Sequence, residues 1–118
     1  TITAAITAAE LEHKPIIIML YPAMRAVCPL HIFAEMVKTV ARDVKVPVGL
    51  HLDHCSDFDL IVEAIREGFT SVMADGSLLP LEENIAKTRE VPPCSTSGVS
   101  MAARISFSRP ISRQGLVL

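Results

Sequence analysis

The sequence is poor in aromatic residues, with four Phe, one Tyr and no Trp in 118 positions, yet half of it is apolar and its formal charge is only −2. That balance excludes a disordered, collagenous or supercharged chain and fits a single domain able to bury its own core. No apolar run approaches the ~18 residues that a membrane-spanning helix needs. The N-terminus has no Met and no basic-then-apolar leader pattern, so the expectation is a soluble, intracellular, cytoplasmic protein with no membrane partner. Cys28, Cys55 and Cys94 are odd in number, widely spaced and free of any C-x-x-C, which argues against a disulfide framework or a zinc ribbon and for buried reduced thiols.

Acidic residues are missing altogether after Glu90. The first 90 residues hold eight basic and thirteen acidic side chains, a net of −5, whereas residues 91–118 hold three Arg, six Ser and no Lys. Pro92-Pro93 opens that second stretch, which shows no sustained apolar period. It reads as an irregular tail, 91–118, unrelated to the segment 1–90 or disordered. Three Arg in 28 residues are too sparse to argue for nucleic acid.

What is present in residues 1–90 alternates between helix and strand. Ile2, Ile6 and Ala9 share a helical face that Lys14-Pro15 ends, and Ile16–Leu20 reads as a strand buried on both sides. Leu30, Phe33, Met36, Val37 and Val40 mark a helix over Leu30–Asp43, and Val46–Leu50 a second strand. Ser56 is the expected N-cap of a helix carrying Phe58, Ile61, Val62 and Ile65, closed by Gly68; Phe69–Met73 is the third strand and Pro80–Arg89 the last helix. Non-alternating strands between amphipathic helices predict an α/β fold, a parallel sheet covered on both faces. Strands starting near residues 15, 46 and 69 have the spacing of a (β/α)8 TIM barrel, which requires about 200 residues or more, so the expectation is a partial barrel of about three parallel strands.

In such folds the chemistry gathers where strands end. His51-Leu52-Asp53-His54 follows the second strand; alternation puts His51 and Asp53 on one face and His54 at the loop. Imidazole suits a borderline metal such as zinc, and a neighbouring carboxylate can orient it or move a proton. Asp75 follows the third strand, with Gly76 permitting a tight turn or a close approach. Arg25, past the first strand, could meet an anion or only solvent. Lys14 and Lys45 precede their strands at the opposite end of the sheet, so a Schiff-base lysine is not visible. Read alone, the His and Asp residues also suit a structural hydrogen-bonded cluster.

The segments V-P-V-G-L-H-L-D-H (46–54), E-A-I-R-E-G-F-T-S-V-M-A-D-G-S (63–77) and P-L-E-E-N-I (80–85) together resemble the class II ketose-bisphosphate aldolases, the zinc-dependent fructose/tagatose-1,6-bisphosphate aldolase family, over about residues 1–91. The resemblance implies a (β/α)8 barrel, a lyase of carbohydrate metabolism and glycolysis, zinc as cofactor, and phosphorylated ketoses and triose phosphates as partners. It implies Asp53 as catalytic acid/base, His54 as a zinc ligand and Asp75 as a residue able to approach the metal. It leaves the substrate-binding residues unassigned and admits a homo-oligomer.

Departures from the family pattern are equally specific. The first family strand has no counterpart, and E-A-E-L-G, two further zinc-ligand His and the Gly-rich phosphate loops are not found in Val91–Leu118. Tyr21 and Leu78 stand where the family has, respectively, a Ser-containing stretch and frequently His. One His is too few for catalytic zinc, so the sequence predicts a fragment inactive on its own. Two rivals remain: a non-catalytic remnant that associates through its sheet edges, and another metal-dependent barrel hydrolase reading H-x-D-H as its metal motif. The second leaves D-G-S and E-E-N-I unexplained.

Overall fold

A computed structural model describes residues 1–90, with side chains to residue 87. The expected boundary near residue 90 and the tail 91–118, with Cys94, lie outside the described residues. The chain runs α1 (Ile2–Leu11), β1 (Ile16–Leu20), a 3₁₀ turn (Pro22–Ala26), α2 (Leu30–Ala41), β2 (Val48–Cys55), α3 (Phe58–Arg66), β3 (Ser71–Ala74) and α4 (Leu81–Glu90). The three strands form one parallel sheet in the order β1-β2-β3, so β2 is central. The α/β expectation holds.

Burial follows from the pleat. Ile18 and Leu20 of β1, Leu50 and Leu52 of β2 and Val72 of β3 join a core with Ile6, Leu30, Ala34, Val37, Leu60, Ile61, Ala64 and Phe69. The opposite face carries Ile17 and Met19, 64% and 61% exposed, so β1 alternates. This corrects the expectation of a sheet covered on both faces: α1, α2 and α3 pack as one layer on one face of the strands, and among the described residues no helix covers Ile17 and Met19 on the other. The apolar side chains of β1 gave the same pattern in sequence whichever neighbour they lacked. Cys55 is buried as expected, but Cys28 is only half-buried.

Local chemistry shifts several boundaries. α3 is capped by Asp57, not Ser56: the Asp57 carboxylate accepts from the backbone N–H of Asp59 at 3.0 Å and of Leu60 at 3.3 Å. Gly68 ends it with φ +88°, the left-handed conformation a side chain disfavours. β2 extends five residues beyond Leu50, because its polar residues alternate with Leu50 and Leu52 rather than leaving the sheet.

Candidate functional site

The C-terminal half of β2 holds the polar cluster, and a bulge arranges it. His51 pairs with Ser71 and Leu52 with Val72, but Cys55 pairs with Ala74, so Asp53 and His54 together oppose Met73. The extra residue resets the alternation. Without it His54 would point into the helical layer and Cys55 away from it; with it Cys55 is fully buried, Asp53 half-buried and His54 exposed. His54 takes φ +49°, a left-handed conformation that costs a non-glycine residue roughly 1–2 kcal/mol.

What holds His54 in place is Asp75. His54 Nδ1 lies 2.7 Å from Asp75 Oδ2, while Asp75 Oδ1 accepts from the Ser77 backbone N–H at 2.9 Å and the Asp75 N–H donates to Cys55 O at 2.8 Å. One carboxylate thus ties the bulge to the loop after β3. A carboxylate can only accept, so Nδ1 carries the proton and Nε2 keeps the lone pair available to a metal. The Asp75 hydrogen bond, with Asp53 nearby, pushes the His54 pKa above its usual value. Gly76 supplies the close approach expected of it: a Cβ there would meet Asn84 Oδ1 of α4 at 2.5 Å.

His51 is placed differently. Its Nδ1 is 2.7 Å from Ser71 Oγ and its Nε2 is 3.7 Å from Asp53 Oδ1. Burial lowers its pKa, against the opposing pull of Asp53. The shared face of His51 and Asp53 was legible from alternation, whereas the Ser71 partner was not; its signal was one polar residue beside Val72 and Met73.

The other rim candidates separate from this group. Arg25 pairs with Glu63 at 3.5 Å, Tyr21 is exposed, and Leu78 is 98% exposed. At the opposite end, the Glu10 carboxylate accepts from the N–H of Lys45 at 2.8 Å, just before β2. Among the described residues no three His, Cys, Asp or Glu side chains converge as a metal cage. A catalytic zinc takes three protein ligands and an open position, so these residues fit one corner of such a site and not the whole. No helix among them is long and apolar enough to cross a membrane.

A family model described as fructose-bisphosphate aldolase class-II matches residues 1–103, twelve positions beyond the stretch expected from the motifs. The chain is 41% identical over 91 residues to a sulfofructosephosphate aldolase of Alkalicoccus urumqiensis, covering 77% of this chain and 32% of the relative. It is 38% identical over 106 residues to a fructose-bisphosphate aldolase of Staphylococcus aureus strain Mu50, covering 86% and 37%. Among solved structures, the YdjI aldolase of Escherichia coli K12 superposes with a TM-score of 0.70 at 32% identity, over 75% of this chain and 35% of that one. The chain therefore spans about a third of the length of the relatives it matches.

Proposed function

Because the chain belongs to the class II fructose-bisphosphate aldolase family, we propose that residues 48–77 carry the acid/base and one metal-ligand position of a zinc-dependent ketose-bisphosphate aldolase. The reaction is reversible cleavage of fructose- or tagatose-1,6-bisphosphate to dihydroxyacetone phosphate and glyceraldehyde 3-phosphate. The supporting observation is the bulged end of β2, which presents Asp53 and His54 side by side, with His54 locked by Asp75 at 2.7 Å.

Asp53 is the proton carrier. In cleavage its carboxylate takes the C4 hydroxyl proton as that oxygen becomes the aldehyde carbonyl. The C3–C4 bond breaks and its electron pair moves toward the C2 ketone; in condensation Asp53 returns the proton. His54 offers Nε2 to the metal, and Asp75 fixes its ring and tautomer from behind rather than binding the metal itself. The chemistry zinc supplies when bound is polarisation of the ketone and stabilisation of the charge that develops there. Turnover needs further ligands from outside the described residues, so residues 1–90 alone are inactive in this reading.

A chimera tests it. Residues 48–77 replace the matching segment of the Staphylococcus aureus relative, and triose phosphate release is followed from both bisphosphates. Cleavage of at least one is expected to persist, and Asp53→Asn in the chimera to lower kcat by about 10²–10⁴-fold. Undiminished turnover by the Asn variant refutes the assignment of Asp53.

A further inference from the structure

We propose that His51 is a positioning residue for Asp53, oriented by a hydroxyl on the neighbouring strand: Ser71 Oγ–H donates to His51 Nδ1, so that His51 Nε2–H faces the Asp53 carboxylate. This rests on the reading of Asp53 as the acid/base; the arrangement itself is independent of turnover.

Three observations carry it. Ser71 Oγ is 2.7 Å from Nδ1, and Asp53 Oδ1 is 3.7 Å from Nε2, so the ring spans the two groups. The negative Asp53 carboxylate, 3.7 Å away, favours a proton over a lone pair on the ring nitrogen turned toward it, which makes Nδ1 the acceptor and Ser71 the donor. The register that brings Ser71 to His51 is pinned one residue earlier. Thr70 Oγ1 accepts from the Leu50 N–H at 2.8 Å and donates to Leu50 O at 3.0 Å, while the Thr70 N–H donates to the same oxygen at 2.8 Å. His51 is also only 13% exposed, and burial favours the neutral ring that this tautomer requires. The 3.7 Å gap is longer than a hydrogen bond, as unliganded acid/base contacts commonly are before substrate tightens them.

The consequence is a division of labour between two histidines three residues apart. His54 receives a carboxylate on Nδ1 and offers Nε2; His51 receives a hydroxyl on Nδ1 and directs a proton at Asp53. The bulge between Leu52 and Cys55 sets the two rings in different surroundings.

Long-range 1H–15N correlation on the 118-residue chain reads the tautomer, and Hα–Hβ couplings read the Asp53 rotamer. Expected are the Nε2–H form alone for His51, a mixture in Ser71→Ala, and a single Asp53 rotamer in the parent chain. His51→Asn, which keeps a Ser71 partner but cannot reach Asp53, averages the Asp53 couplings; His51→Gln, whose amide donor stands near the Nε2 position, restores them. In the chimera, His51→Asn lowers kcat about 10- to 100-fold at unchanged KM and His51→Gln recovers most of it. An Nδ1–H ring, or the tautomer average of a free imidazole in the parent chain, overturns the proposal. So do Asp53 couplings or a kcat indifferent to His51→Asn. Should His51→Asn unfold the chain, the Ser71→Ala spectrum decides alone. If Asp53→Asn leaves turnover intact, the acid/base assignment of Asp53 falls while the tautomer and couplings still judge the His51 arrangement.

Discussion

Two imidazoles close in sequence are pushed in opposite directions by different physics. Burial disfavours the His51 cation and lowers its pKa; hydrogen bonding to Asp75 favours the His54 cation and raises it. A proton NMR titration is therefore expected to place the His51 midpoint below the ordinary 6.5 and the His54 midpoint above it. The effects on stability are opposite too. For His51 the unfolded chain binds the proton more tightly, so its contribution is full above 6.5 and is lost as pH falls through the folded value. For His54 the folded chain binds it more tightly, so its contribution is full below 6.5 and is lost as pH rises through the folded value. Midpoints in the reverse order contradict the burial of His51 and the His54–Asp75 hydrogen bond. At this scale the polar group at 51–54 and Asp75 were legible in the sequence as residues at the strand ends, because residue type and alternation are local. Ser71 escaped notice because its partner is 20 residues away and only the register brings them together.

Elements are decided by caps and by single backbone conformations. Asp57 satisfies two of the N–H groups that open α3, and Asp57→Ala is expected to cost about 1 kcal/mol in urea unfolding. Ser56→Ala, at the position the motif favoured, should cost less than half of that, since Ser56 makes no cap. Gly68 closes the same helix at φ +88°, and an added Cβ meets only the flexible end of Lys38, at 3.2 Å. Gly68→Ala is thus expected to cost about 1–2 kcal/mol through backbone strain rather than a clash. All seven helices and strands were legible, the strands as short apolar runs and the helices from apolar spacing or from the turn and capping residues that bound them, and the β1 limits, Ile16–Leu20, agree residue for residue. The extent of β2 was not. A strand ending in His-Leu-Asp-His reads as a loop until its partner strand is known, and a bulge has no sequence signature of its own here.

For the whole molecule the decisive feature is the uneven treatment of the two sheet faces. Phe69 is 1% exposed within the helical layer, while Ile17 is 64% exposed on the other side. Phe69→Ala is expected to cost about 3–5 kcal/mol in chemical denaturation, and Ile17→Ser less than about 0.5 kcal/mol. A large loss at Ile17 shows that its face is covered in solution. The sequence by itself determined the α/β class, the parallel order of helices and strands, the family and the residue types at the end of β2, because periodicity and motif are written along the chain. Tertiary structure alone decided which sheet face is covered, where β2 bends, and which carboxylate or hydroxyl each histidine meets. Those depend on strand register, and register is set by contacts between residues about twenty positions apart.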